Sequence, residues 1–318
     1  MTLELAPLAG FTDAPFRRMC FEGGADLCYT EMVSAAGLAH GSSPTRHLME
    51  TMPGEGKVAV QLFGAKPEEM AKAVAGVDFS PSVCEINLNA GCPMTKVTQC
   101  GAGAALVKDP GLVYELLRAI KENTSLPVSL KTRLGPHPGD IKIFDLLAAA
   151  ERAGASKLIV HARFTSQMHG GETHLDLLKE VVKRAKISII GNGSVTNLES
   201  ARRVLETGVS GLMIGRAALA EPSIFRRLRT QLLGETSIPN SESTIRKHLQ
   251  YLLEFREILS KKYPFDHVPG PDGFASVKMH THLFRYFNGR PGAAKLRQKL
   301  NSVRTLSEIY DIISMYGE

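Results

Sequence analysis

Apolar and polar positions along the chain follow two alternating rhythms. Short runs of mostly apolar residues recur at 3–8 (LELAPL), 27–32 (LCYTEM), 58–63 (VAVQLF), 83–88 (VCEINL), 127–132 (PVSLKT), 157–162 (KLIVHA), 187–192 (ISIIGN) and 210–215 (SGLMIG). Between them lie EEMAKAVAGV, GLVYELLRAIKEN, IFDLLAAAERAG, HLDLLKEVVKRA and NLESARRVLETG. The last four carry apolar residues at i, i+3 and i+4, the spacing of amphipathic helices. Continuous apolar strands alternating with such helices predict a parallel sheet covered by helices. Eight units in roughly 235 residues predict an α/β fold closed as a (β/α)8 TIM barrel. An open doubly wound sheet would carry a glycine-rich turn after its first strand, and that turn is missing. The segment GAGAAL at 101–106 follows the fourth strand and lacks the third glycine of a dinucleotide fingerprint. Its small residues instead predict a loop whose backbone passes close to another element.

The rhythm changes after GETSIPNSEST at 234–244, a cluster of turn and polar residues. Beyond it come STIRKHLQYLLEFREILSKKY, FASVKMHTHLFRYFN, PGAAKLRQKL and LSEIYDIISMYG, all helical in pattern. The predicted organisation is a catalytic barrel over 1–236 and a small all-helical C-terminal domain over 237–318. Composition agrees with a soluble protein: 43% of the 318 residues are hydrophobic and 22% charged. Disordered, collagen-like and disulfide-miniprotein classes are excluded. No apolar run approaches the ~20 residues that span a bilayer, and the first ten residues lack a basic leader region. The expectation is a cytoplasmic protein with no membrane contact.

Five cysteines without a C-x-x-C pair read as reduced thiols rather than disulfides or structural zinc. Cys20, Cys28 and Cys84 read as small buried hydrophobes. Neither His169 with His174 nor His280 with His282 has the spacing of a standard metal site, and no metal is predicted. Net charge is +6, from 38 basic and 32 acidic residues. The charge is unevenly spread: from Gly273 to Ser307 there are seven basic residues and no acidic one. Phe284, Tyr286 and Phe287 interleave with Lys278, Arg285, Arg290, Lys295, Arg297, Lys299 and Arg304. Cations neutralise phosphates and aromatic faces stack on bases, so this stretch predicts a nucleic-acid surface.

Functional groups of a (β/α)8 barrel gather at the carboxyl ends of its strands. Here those ends carry Pro7-Leu8-Ala9-Gly10, Glu31, Gln61, Asn87 with Asn89, Lys131 with Arg133, His161 with Arg163, Gly191-Asn192-Gly193-Ser194 and Gly215-Arg216. Glycines after strands seven and eight let backbone N–H groups converge, and Arg216 adds charge, which predicts a phosphate site. A flavin mononucleotide and a sugar phosphate both satisfy that reading. Cys92, in NLNAGCPMTKV, sits on a tight loop between a glycine and a proline. A free thiol has a pKa of about 8.5, so near neutral pH it is a proton donor.

Taken together, APLAGFTDAPFR (6–17), TEMVSA (30–35), VQLFG (60–64), NAGCPMTKVTQCGAGAAL (89–106), LKTRLG (130–135), VHARFTSQ (160–167), IGNGSV (190–195) and IGRAALAEPSIF (214–225) closely resemble the tRNA-dihydrouridine synthases. The segment KMHTHLFRYFNGRPGAAKLRQKL resembles that family's helical tRNA-binding domain. The resemblance implies FMN-dependent reduction of the C5–C6 double bond of a uridine in tRNA, with NADPH (or NADH) as reductant. Reduced flavin N5 would pass a hydride to C6 while Cys92 protonates C5. It also implies cofactor contacts from Pro7, Leu8, Ala9, Gln61, Lys131 and His161, with Asn192, Gly193, Ser194, Gly215 and Arg216 around the phosphate. Substrate contacts are implied for Asn89 and Arg163, and for Lys278, Arg285, Arg290, Lys295 and Arg297. No obligate protein partner is implied. Asn87, Met168, Ser194 and Ala217 depart from the usual pattern, which bears on substrate position and cofactor contacts. The competing class, a flavin-dependent reductase or dehydrogenase of a small pyrimidine, predicts no basic helical appendage.

Overall fold

The computed structural model describes residues 1–234, 244–287 and 293–316, without the side chains of 293–295, 297 and 316. Eight parallel strands close in sequence order: β1 (Thr2–Leu5), β2 (Leu27–Ser34), β3 (Val58–Phe63), β4 (Val83–Ala90), β5 (Val128–Arg133), β6 (Lys157–His161), β7 (Ser188–Asn192) and β8 (Gly211–Ile214). Pairing of Thr2–Leu5 with Gly211–Ile214 completes the ring. The (β/α)8 barrel is therefore as the pattern predicts, with the strand boundaries adjusted. β1 stops before Pro7, which has no N–H to give to a ladder. β4 runs two residues beyond the apolar core and carries Asn89 to its end.

Helices between the strands include the four amphipathic ones, at Pro110–Lys121, Ile143–Arg152, Leu175–Arg184 and Leu198–Leu205. The sequence pattern missed the helix Ala14–Glu22, whose start is set by Asp13 accepting from the Phe16 N–H and by Pro15 in the first turn. Outside the barrel wall, aliphatic side chains of strands and helices form one large core. Inside it, Tyr29, Ala59, Ile159, Ile190 and Met213 fill only part of the space, and polar side chains take the rest.

Past the barrel come helices Thr244–Lys262, Pro271–Tyr286, Ala293–Leu300 and Leu306–Tyr316. They share an apolar core that also takes in Ala14, Met19 and Met52 of the barrel. Polar ties reinforce the seam: Arg18 with Glu254 at 3.0 Å, Lys262 with Glu50 at 2.7 Å, and Tyr251 Oη donating to Glu22 at 2.6 Å. The inferred 236/237 boundary lies outside the described residues. Among those described, no helix is long and apolar enough to cross a membrane. Cys20 and Cys28 are buried as expected, whereas Cys84 is partly exposed.

Candidate active site

A cavity of about 370 Å³ opens at the carboxyl ends of the strands, within the usual range for small-molecule sites. Pro7, Leu8, Ala9, Gln61, Asn89, Cys92, Lys131, His161, Arg163, Asn192, Gly193, Ser194, Gly215 and Arg216 all line it. From the C-terminal helices Arg285 reaches the same space, its guanidinium 5.7 Å from the centre of the Phe11 ring. Lys278 does not reach it. Its ammonium lies at the barrel–helix seam, 3.3 Å from Asp13 and 3.9 Å from Glu31. Arg290 lies outside the described residues, as do the side chains of Lys295 and Arg297.

The Cys92 loop is held from three sides. The Asn89 Oδ1 accepts from the backbone N–H groups of Gly91 and Cys92, both at 3.0 Å. Arg133, 1% exposed, donates to the Gly91 carbonyl at 2.8 Å and to the Phe164 carbonyl at 3.1 Å. From the other side the GAGAAL segment closes in, with the Ala104 N–H donating to the Cys92 carbonyl at 2.8 Å. A Cβ on Gly103, which has φ +61°, would come 2.6 Å from that carbonyl oxygen. The small residues serve the close approach read from the sequence, and Cys92 is what they approach.

Asn89 also begins a run of hydrogen bonds down the barrel axis. Its Nδ2 donates to Gln61 Oε1 at 2.7 Å, Gln61 Nε2 to Asn87 Oδ1 at 2.7 Å, and Asn87 Nδ2 to Ser129 Oγ at 2.6 Å. Ser129 Oγ donates in turn to Glu85. Every donor points the same way, from the Cys92 loop toward one carboxylate. Strand alternation explains the alignment: residues 85, 87 and 89 share the inner face of β4, and the register sets Gln61 and Ser129 either side of Asn87. At the barrel floor Glu85 and Glu4 meet Lys157 at 2.9 and 3.0 Å, with Tyr29 Oη within hydrogen-bonding distance of both carboxylates. Burial opposes charge on Lys157, yet Glu85 and Glu4 outweigh it and hold the amine above its ordinary range.

The mouth has the opposite electrostatics. Lys131, Arg133, Arg163, Arg216 and Arg285 line the cavity, and no carboxylate does among the described residues. Burial, helped by the Arg133 cation, brings Lys131 down to about 7, and burial lowers Arg133 to about 10. Lys131 Nζ donates to Asn192 Oδ1 at 3.1 Å, which directs it toward β7. Burial and the surrounding cations push His161 far below its usual range. Its Nε2 lies 3.2 Å from Arg163 Nη1, an obligatory donor, so Nε2 is the acceptor of a neutral ring. Arg163 also donates to the Gly171 carbonyl at 2.7 Å and to Ser194 Oγ at 2.6 Å. Asn89 and Arg163, implied by the resemblance as contacts for the flipped uracil and its backbone, both line the cavity and also hold loops in place.

The phosphate loops read from the sequence lie side by side on one wall of this cavity. Gly193 has φ +127°, and a Cβ there would come 3.1 Å from the His161 ring. Ser194 holds φ +57°, an uncommon conformation for a residue with a side chain, with its hydroxyl tied to Arg163. Such backbone, backed by Arg216 and Arg163, suits an oxyanion. The sequence reading placed Arg133 at the mouth without assigning it a contact, and did not include His169 or Phe11 among the site residues. His169 comes close because the chain after β6 folds back, setting its ring 6.3 Å from that of His161.

A sequence profile described as dihydrouridine synthase (Dus) matches residues 4–314. The tRNA-dihydrouridine synthase B of Proteus vulgaris is 36% identical over 322 residues, covering 99% of this chain and 95% of its own. A probable tRNA-dihydrouridine synthase of Treponema pallidum (strain Nichols) is 36% identical over 240 residues, covering 72% of this chain and 70% of its own. Among solved structures, a morphinone reductase shares the fold with a TM-score of 0.51 at 15% identity, covering 76% of this chain and 88% of that one.

Proposed function

The chain belongs to the dihydrouridine synthase family, and from that premise we propose that it is an FMN-dependent, NADPH-driven reductase of the C5–C6 bond of a uridine in tRNA. The observation that carries this reading is one cavity in which a pinned Cys92 loop faces a set of cations without a carboxylate. FMN fits the residues present. Gly193, Ser194, Gly215 and Arg216 would cradle its phosphate, on a turn where Gly193 holds φ +127° and a Cβ would press on the Thr173 side chain and the His161 ring. Pro7, Leu8 and Ala9 form an apolar wall for the ring, and Gln61 and Lys131 present polar groups to its edge. Bound there, FMN supplies a hydride donor to uracil C6 that NADPH recharges.

The protein's own part is positioning and one proton. Cys92 holds the proton destined for C5 of the uracil, and the clamp of Asn89, Arg133 and Ala104 fixes the loop that carries it. Lys131 and the neighbouring arginines hold positive charge against the anionic groups of the ligand. His161, kept neutral by burial and by those same cations, offers no competing charge. A uridine in folded tRNA leaves its stack to enter the mouth, and the basic C-terminal helices bind the rest of the RNA, with Arg285 at the junction. The test is mass analysis of nucleosides from unmodified tRNA incubated with the purified protein, FMN and NADPH. A gain of two hydrogens on uridine is expected. Reduction of a free pyrimidine base with tRNA left unchanged would instead select the small-molecule reductase.

A further inference from the structure

At the seam between barrel and C-terminal helices, three ligating side chains that do not line the active-site cavity converge. Asp13 precedes the helix Ala14–Glu22, His248 lies on Thr244–Lys262, and His282 on Pro271–Tyr286. Their ligating atoms all fall within 4.8 Å of one another. Both histidines are 0% exposed and Asp13 is 6% exposed. His248 Nε2 and both ring nitrogens of His282 are buried without a hydrogen-bond partner, and Asp13 Oδ2 beside them is met by the Lys278 ammonium at 3.3 Å. Three such nitrogens in one place contrast with the near-complete satisfaction of buried polar groups in proteins.

The orphaned atoms form a coherent set. Asp13 Oδ1 accepts from the Phe16 N–H, which leaves Oδ2 aimed at the histidines. His248 Nδ1 lies 2.9 Å from Tyr286 Oη, so donation there leaves a lone pair on Nε2. That arrangement, in which one ring nitrogen is anchored and the other is turned inward, is typical of metal-binding histidines. The two imidazoles stand edge to face with centroids 4.4 Å apart, and Phe11 and Phe16 pack against the His282 ring. Burial keeps both histidines in the neutral form that ligates metal, with His282 lowered to about 4 and His248 below its usual range.

We propose that Asp13, His248 and His282 form a binding site for a zinc-like divalent cation that clamps the C-terminal helices to the barrel. Two imidazoles and one carboxylate are a known zinc donor set, with water as a fourth ligand. Zinc bonds of about 2.0–2.2 Å require the set to draw in by about an ångström. Lys278 is the competitor, since its ammonium stands 3.3 Å from Asp13 Oδ2. It has an alternative partner in Glu31, 3.9 Å away, toward which it swings when the metal enters. The site was invisible in sequence because its ligands come from three separate helical segments. His280, two residues from His282, is not on the same helix face.

The test uses crystals of the FMN-loaded full chain grown with zinc chloride, with data collected on both sides of the zinc absorption edge. An anomalous peak among Asp13 Oδ2, His248 Nε2 and His282 is the expected result. Water-sized density without anomalous signal, or no density, at saturating zinc overturns the proposal. In solution, in a Cys92→Ala background that removes the active-site thiol, zinc should raise the melting temperature by roughly 5 °C at a hundredfold excess over its dissociation constant. Chelation should reverse that rise. Asp13→Asn, which keeps a good helix cap, should lose it, and an undiminished rise in that variant also overturns the site.

Discussion

The two ends of the barrel interior hold charge in opposite ways. At the floor, Lys157 is shared by Glu4 and Glu85, with the Tyr29 hydroxyl placed between the two carboxylates. At the mouth, Lys131, Arg133, Arg163 and Arg216 face the cavity with no carboxylate among the described lining residues. The floor groups stand on β1, β2, β4 and β6 and the mouth cations on β5 or just past β6 and β8, all of one closed barrel, so fold alone does not explain the contrast. Buried charges that serve stability come paired and hydrogen-bonded. Cations left facing a cavity raise the free energy of the empty protein and lower that of a complex with an anion. The amide run from Asn89 to Ser129 joins the two ends and gives Gln61 and the Cys92 loop a fixed orientation.

The sharpest way to separate the two ends is Cys92→Ala. Product formation in tRNA should fall by about 10²–10⁴-fold, the usual contribution of a positioned proton donor. FMN content and reduction by NADPH should persist, since neither uses the thiol. Product formation at the wild-type rate would remove Cys92 from the chemistry. At the floor, Lys157→Met leaves two carboxylates facing each other and should cost about 3–5 kcal/mol in chemical denaturation. A change under 1 kcal/mol would mean that the floor ions are not what holds that end together. Between the ends, Asn87→Ala strands the Gln61 amide and the Ser129 hydroxyl, at a cost of about 1–3 kcal/mol. Titration should also show weaker FMN binding in that variant; unchanged affinity would confine the amide run to stability.

A further effect is in pH. Lys131, brought down to about 7 in the fold, ordinarily titrates near 10.4. Between those values the unfolded chain binds the extra proton, so this group makes the ligand-free protein more stable as pH rises from about 7 toward 10. Subtracting the stability curve of Lys131→Met from that of wild type isolates the term. An anionic ligand at the mouth favours the protonated amine, so bound FMN should flatten the difference. The same slope with and without FMN would put Lys131 out of electrostatic reach of the ligand.

Most of the barrel was legible because its strands are buried on both faces and its longer helices are amphipathic. These are local patterns. The mouth was legible too, since a closed parallel barrel brings every strand's carboxyl end to one rim. What local pattern does not carry is partnership across the chain. Lys157 meets Glu4 over 153 positions, and Ser129 meets Glu85 over 44. His169 was set aside as one of two unmatched histidines, and it reaches the mouth only because the loop after β6 turns back. Lys278 belongs to the basic stretch by sequence, but helix phase turns it inward to Asp13. The same three-dimensional pairing brings His248 to His282.

The contrast between the two ends is tested most directly by measuring FMN affinity and melting temperature together for Lys131→Met and Lys157→Met. The mouth variant should bind FMN at least about tenfold more weakly, as expected for loss of a charge-assisted contact, while its ligand-free melting temperature is kept or raised by removal of an unpaired buried cation. The floor variant should melt well below wild type and, at temperatures where it is folded, bind FMN with wild-type affinity. Loss of FMN binding in the floor variant with full retention in the mouth variant would contradict the account.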